Sequence, residues 1–138
     1  VGEHTFIHKI EPLFKDQLFF YKGGKGFFNA GDLSEKDIDD ETHKKSAVET
    51  LKIASEKSIS GEFDLVICDE LSNAVHDGLL GVNDLKSIIN NRSKNTSLCI
   101  TGRNFPPKLL SSVDIATNMT KLKHHFDNQF IANKGIDY

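Results

Sequence analysis

The chain has 138 residues and a formal net charge of −3, with 38% of its residues hydrophobic and 27% charged. These proportions fit one globular domain with a single core, and the lack of any run of about eighteen apolar residues argues against a membrane-spanning segment. The small negative charge argues against a nucleic-acid partner, because polyanion binding needs a concentrated basic surface.

The first thirty residues are rich in aromatic side chains and predict irregular structure. Within them, residues 19–21 form a strand-like run and the glycine cluster at 23–26 predicts a flexible turn. The cluster is not a phosphate-binding loop, since the pattern G-x-x-x-x-G-K followed by Ser or Thr occurs nowhere in the sequence.

Helical spacing of apolar residues predicts a long helix from about residue 35 to residue 59. Ser34 and Asp37 resemble a capping box at its start, and Gly61 is placed to end it. A second helix is predicted further on, because Val82 and Leu85 share one face with the apolar pair at 88–89.

Two short apolar runs, at residues 63–68 and 97–101, are typical of parallel strands that are buried on both faces. The proline pair at 106–107 favours the start of a short third helix. A last strand-like stretch covers residues 114–120, and the tail from residue 124 on is loop-like.

Strands separated by helices predict an α/β fold, with a mostly parallel sheet and flanking helices in one domain that spans residues 1–138. We expect the runs that end at Cys68 and Thr101 to be parallel neighbours. Ligands of such sheets bind at the carboxyl ends of strands, where Asp69, Glu70 and Arg103 lie.

The cysteines and the start of the chain bear on cellular location. Cys68 and Cys99, the only two cysteines, both lie inside apolar runs, and the chain does not open with a basic segment followed by an apolar one. The apolar setting of the cysteines favours two packed free thiols over a disulfide. Together with the start of the chain, it predicts a cytoplasmic protein.

An apolar strand that ends on Asp69 and Glu70 has the pattern of a Walker B segment, which presents carboxylates to magnesium on nucleotide phosphates. The alternative is an ordinary buried strand that runs into an acidic turn. Arg103 offers a guanidinium group suited to phosphate oxygens, with a surface ion pair as its alternative; the only other arginine is Arg92.

Other kinds of catalytic site find little support in the sequence. Its six histidines are scattered, except for His124 and His125, whose side chains would point opposite ways in an extended chain. No serine nucleophile elbow is present, and no cysteine and histidine are paired by position.

Several short motifs, taken in order, resemble the P-loop type of corrinoid adenosyltransferase, a family that transfers the 5'-deoxyadenosyl group of ATP to the cobalt of a reduced corrinoid. The resemblance covers essentially all 138 residues. Its motifs are Gly2-Glu3, Lys25-Gly26-Phe27, Asp64-Leu65-Val66, Asp69-Glu70-Leu71, Thr101-Gly102-Arg103-Asn104, Pro106-Pro107, Lys123-His124, Phe126-Asp127 and Lys134-Gly135-Ile136-Asp137-Tyr138.

The resemblance implies a P-loop NTPase fold of the RecA-like type, with ATP, Mg²⁺ and a corrinoid as ligands. It implies that Glu70 and Arg103 are catalytic, that Glu70 and Asp69 serve magnesium, and that Arg103 binds phosphates. It also implies cofactor-binding roles for Asn104 and for the aromatic loop Phe27-Phe28-Asn29, in which Phe27 would pack on the corrin. The family's loop usually reads Phe-Thr-Trp, so Asn29 departs from it and Phe28 is a candidate substitute.

The family's N-terminal unit of strand, phosphate loop, helix and strand has no counterpart here, so the chain resembles a member truncated at its N-terminus. We expect a fragment of a longer gene product, in preference to a natural remnant, and we expect the isolated chain to be inactive. The resemblance also implies a homodimer and a flavin-type reductase that supplies Co(I). The alternatives are a non-catalytic corrinoid-binding or regulatory module and an unrelated α/β scaffold.

Overall fold

A computed structural model describes residues 2–24, 39–128 and 130. Its α-helices are α1 (Gly2–Phe14), α2 (Asp40–Ser60), α3 (Leu71–His76) and α4 (Val82–Asn91); its strands are β1 (Leu65–Cys68) and β2 (Ser97–Ile100); and its 3-10 helices are Lys15–Gln17, Pro107–Ser112 and His125–Asn128. The chain forms two compact units, one from residues 2–20 with the described residues from 116 on, and one from the described residues of 21–115.

The two strands form one parallel sheet in the second unit. Leu65 lies opposite Ser97 and Cys68 lies opposite Ile100. The predicted parallel pairing is therefore confirmed, and the mixture of helices with a small parallel sheet is that of an α/β protein.

Helix α2 begins and ends on residues that cap it. The carboxylate of Asp39 accepts a hydrogen bond of 2.7 Å from the backbone N–H of Thr42, and this bond lowers the pKa of Asp39. Gly61 ends the helix with φ 72°, as the sequence predicted. The predicted helix ran from residue 35, but residues 35–38 and the Ser34 capping box lie outside the described residues.

Helix α4 supplies most of the core through one face. Leu85, Ile88 and Ile89 are all buried and pack with Cys68 and Leu109. This face is the one that the helical spacing predicted. The proline pair also behaves as predicted, since the short helix that contains Leu109 starts at Pro107.

The sheet is buried on one face only, which contradicts the prediction of strands buried on both. Val66 and Leu98 pack against the core, but Leu65 is 53% exposed and Ile67 is 61% exposed. Successive side chains of a strand point to opposite faces, so core packing on one side leaves the alternate residues uncovered.

Both cysteines are free thiols, and their surroundings differ. Cys68 is buried and Cys99 is exposed, so the prediction of two packed thiols is right only for Cys68. Burial raises the pKa of the Cys68 thiol to about 11, with a smaller contribution from Cys99.

The N-terminal segment is helical, where the sequence predicted irregular structure. His4 and His8 are one helical turn apart in α1, and both contact the ring of Phe20, with ring centroids 5.4 and 5.5 Å away. Residues 19–21 form no strand, and the ring of Phe20 lies against this helix face.

The predicted strand at residues 114–120 is also absent. The segment has no regular structure, and Ile115 and Met119 are largely exposed. Asp114 instead forms an ion pair with Arg92 at 3.2 Å. The tail is not wholly loop-like, since a 3-10 helix covers residues 125–128.

No helix within the described ranges is both long enough and apolar enough to cross a membrane.

Candidate site at the carboxyl edge of the sheet

The two strands end level with each other. Because Cys68 lies opposite Ile100, the acidic turn that follows β1 and the arginine loop that follows β2 start at the same edge. We call residues Asp69 and Glu70 the acidic turn, and residues 102–104 the arginine loop. The predicted meeting of these two segments is what the register produces.

Thr101 connects the two segments. Its hydroxyl oxygen accepts a hydrogen bond of 2.9 Å from the backbone N–H of Glu70, and its hydroxyl proton is donated to Oδ1 of Asp69. Its backbone N–H donates to the carbonyl of Cys68 at 3.2 Å. Thr101 therefore touches the strand end and both members of the acidic turn.

Glu70 has an unusual backbone conformation. Its φ of 56° and ψ of 17° are left-handed, a region that costs a residue with a Cβ about 1–2 kcal/mol. Its side chain is exposed, and its carboxylate makes no hydrogen bond or ion pair with the described residues. The carboxylate is thus open to a ligand at the strand edge.

The arginine loop is held against the start of α3. The backbone N–H of Arg103 donates to Oδ1 of Asn73 at 2.7 Å, and the hydroxyl of Ser72 donates to the carbonyl of Thr101 at 3.1 Å. The guanidinium group of Arg103 has no carboxylate partner among residues 2–24, 39–128 and 130, whereas Arg92 is paired with Asp114.

Gly102 makes this close approach of loop and helix feasible. Its φ is 129°, and a Cβ at this position would overlap the hydroxyl of Ser72 and lie 2.9 Å from Oδ1 of Asn73. A side chain here would push the arginine loop away from α3.

The model of the protein family described as ATP:corrinoid adenosyltransferase BtuR/CobO/CobP matches residues 1–138. The chain belongs to this family.

Curated adenosyltransferases of this family share modest identity with the chain. The corrinoid adenosyltransferase of Pseudomonas aeruginosa is 26% identical over 137 residues, which are 99% of this chain and 63% of that relative. The corrinoid adenosyltransferase CobA of Salmonella typhimurium is 33% identical over 75 residues, which are 54% of this chain and 38% of that relative. An Escherichia coli corrinoid adenosyltransferase is 32% identical over 75 residues. The chain therefore spans less than two thirds of the length of these relatives.

The carboxylates at this edge of the sheet belong to the oxygen-donor class that magnesium takes. Within the described part of the chain, no three His, Cys, Asp or Glu side chains are grouped closely enough to hold a metal by themselves. Magnesium bound to nucleotide phosphates needs only one or two protein carboxylates, because phosphates and water supply the other oxygens. Asp69 and Glu70 could supply that number.

Not every residue that the adenosyltransferase resemblance implied can be placed. Asn104 is exposed in the arginine loop and has a left-handed φ of 56°. Phe27, Phe28 and Asn29 lie outside the described residues.

The sequence alone assigned no role to Thr101 or Asn73, although both hold parts of the candidate site through hydrogen bonds. The parallel register could have pointed to Thr101, since it places the residue after β2 opposite Asp69. The sequence carries no comparable signal for Asn73, whose contact depends on how α3 packs.

Proposed function

We propose that this chain carries the catalytic edge of an enzyme that transfers the 5'-deoxyadenosyl group from ATP to the cobalt of a reduced corrinoid, forming adenosylcobalamin. The observation that carries the proposal is the joining of an open acidic turn to an arginine loop at the carboxyl edge of a parallel sheet. The family match over residues 1–138 supports the same reaction. The proposal includes a P-loop NTPase fold of the RecA-like type, in one domain.

The reaction needs charge neutralisation more than proton transfer. The nucleophile is Co(I), which attacks the 5' carbon of ATP in line; the cobalt–carbon bond forms as the bond from that carbon to the triphosphate oxygen breaks. Negative charge develops on the leaving triphosphate, so positive groups at the phosphates stabilise the transition state. No general acid or base is required.

The acidic turn and the arginine loop would each provide part of this charge neutralisation. The guanidinium of Arg103 would bind phosphate oxygens as a planar donor of several hydrogen bonds. The carboxylate of Glu70, with Asp69 beside it, would bind the magnesium of the nucleotide. Asn104 would contact the nucleotide from the same loop.

The remaining parts of the proposal concern the corrinoid and the partners. Phe27 would pack on the corrin and help to exclude its lower axial ligand, with Phe28 and Asn29 in the same loop. We propose a cytoplasmic homodimer that receives electrons for Co(I) from a flavin-type reductase. The isolated 138-residue chain would be inactive, because it contains no phosphate-loop pattern to orient ATP.

The test is a transfer assay on the whole gene product that carries this chain, supplied with ATP, magnesium and chemically reduced corrinoid. Transfer is followed by loss of Co(I) absorbance and formation of the cobalt–carbon bond. Glu70→Gln and Arg103→Ala should each lower kcat about 100-fold or more, as removal of one charge-stabilising group typically does. Glu62→Gln and Arg92→Ala are matched controls away from this edge and should keep near-normal rates. Normal rates in Glu70→Gln and Arg103→Ala would contradict the proposal.

A non-catalytic corrinoid-binding or regulatory module is the second candidate. Such a module would keep the aromatic loop Phe27-Phe28-Asn29 for the corrin and would carry out no nucleotide chemistry. It predicts that the gene product binds corrinoid but transfers no adenosyl group, and that Glu70→Gln leaves corrinoid binding unchanged. The transfer assay separates the two functions.

A further inference from the structure

The hydroxyl of Thr101 makes two hydrogen bonds of fixed direction. A threonine hydroxyl has one proton and two acceptor lone pairs. Because the N–H of Glu70 can only donate, it occupies an acceptor lone pair of Thr101, and the single hydroxyl proton goes to the carboxylate of Asp69. The hydroxyl therefore accepts from Glu70 and donates to Asp69, and neither role can be exchanged without losing a bond.

The bond to Thr101 supports a backbone conformation of Glu70 that is unfavourable by itself. Glu70 holds φ at 56°, in the left-handed region that side chains with a Cβ avoid. Such a conformation persists only where surrounding contacts fix it, and the bond from its N–H to Thr101 is a tertiary contact that does so. The direction in which the Glu70 carboxylate leaves the chain thus depends on Thr101.

The same residue also ties the acidic turn to the arginine loop. Thr101 directly precedes Gly102, and its carbonyl accepts hydrogen bonds from both the backbone N–H and the hydroxyl of Ser72, at 3.3 and 3.1 Å. Thr101 is half-buried, whereas the carboxylates of the turn are exposed. Thr101 is therefore placed to hold the turn in position through its hydrogen bonds.

We propose that Thr101 is a positioning residue, whose hydroxyl sets the geometry in which the Asp69–Glu70 turn meets the magnesium of the nucleotide. This inference rests on the proposed function, and it adds a residue to which the family resemblance assigned no role. Removing a side chain that orients a metal-binding group typically lowers metal affinity or activity by about 10–100-fold.

The experiment compares three variants of the whole gene product. Thr101→Val keeps the branched shape and removes the hydroxyl, Thr101→Ser keeps the hydroxyl and removes the methyl group, and Thr101→Ala repeats the hydroxyl deletion in a smaller side chain. ATP binding is measured by calorimetry across a magnesium titration, transfer is assayed in parallel, and thermal unfolding reports on folding.

Thr101→Val should raise the magnesium concentration for half-maximal ATP binding about 10-fold or more, whereas Thr101→Ser should stay near the wild-type value. Adding Thr101→Val to Glu70→Gln should cause little further loss, because both changes act on the same contact. A general loss of stability would instead weaken binding at every magnesium concentration and add to the effect of Glu70→Gln.

Each outcome is decisive. Wild-type magnesium dependence in folded Thr101→Val or Thr101→Ala would overturn the inference while leaving the proposed function in place. An equal defect in Thr101→Ser would also overturn it, because the hydroxyl would then not be the group that matters. A wild-type protein that binds ATP equally well with and without magnesium would overturn this role of Thr101 together with the proposed magnesium role of Asp69 and Glu70.

Discussion

Replacement of Gly102 by alanine tests the packing that brings the arginine loop to the site. The φ of 129° is a conformation that alanine adopts at a cost of about 1–3 kcal/mol. The added Cβ would overlap the Ser72 hydroxyl and lie 2.9 and 3.2 Å from Oδ1 and N of Asn73, which forces a shift worth about 1–3 kcal/mol. Alanine also restricts the unfolded chain more than glycine does, and this offsets about 0.4–1 kcal/mol of the loss.

The expected loss for Gly102→Ala is therefore about 3 kcal/mol in the free energy of unfolding. Gly78→Ala is the matched control: its φ is also left-handed, at 77°, but a Cβ there would meet no heavy atom within 4 Å apart from its own chain neighbours. It should lose only the backbone cost, about 1 kcal/mol. Urea denaturation followed by far-ultraviolet circular dichroism measures both.

Equal losses in the two glycine variants would refute the reasoning, since the contact with Ser72 and Asn73 would then contribute nothing. A second check uses Ser72→Ala, which removes the hydroxyl that the new Cβ would overlap. Combined with Gly102→Ala, it should cost less than the sum of the two separate changes.

Three further predictions follow from burial. Leu85→Ala should lose about 2–5 kcal/mol in chemical denaturation, because Leu85 is 0% exposed. Leu110→Ala, at a position 49% exposed, should lose well under half as much. A thiol reagent should label Cys99 rapidly in the native protein and Cys68 only in denaturant; equal rates would contradict the difference in burial. Because burial raises the pKa of Cys68 to about 11 from 9.0, the unfolded thiol loses its proton first as pH rises. Stability should thus fall by about 2 kcal/mol between pH 9 and 11, and Cys68→Val should remove this part of the pH dependence of stability.

The parts of the fold that were predictable are those with a strong local signal. The buried face of α4 was predictable because Leu85 and the apolar residues one turn later recur at the helical period. The end of α2 was readable because Gly61 readily adopts the left-handed conformation that ends a helix. The pairing of β1 with β2 followed from two apolar runs with a helix between them.

The errors occurred where distant contacts decide the structure. At the helical start of the chain, His4 and His8 contact the more distant Phe20. A strand at 114–120 would have needed a neighbouring strand that the described residues do not provide. The candidate site shows the same division. The location of the acidic turn at a strand end was readable from sequence, whereas the bond from Glu70 to Thr101 joins residues 31 positions apart.

That separation also bears on the order in which the protein folds. Closing a loop of 31 residues costs about 3 kcal/mol of chain entropy, and the pairing of β1 with β2 closes the same loop. Once the strands have met, the contact between Glu70 and Thr101 adds almost no further entropy cost, because its partners are already adjacent. The site should therefore appear on the folding pathway together with the sheet, and slowing strand pairing should delay both equally.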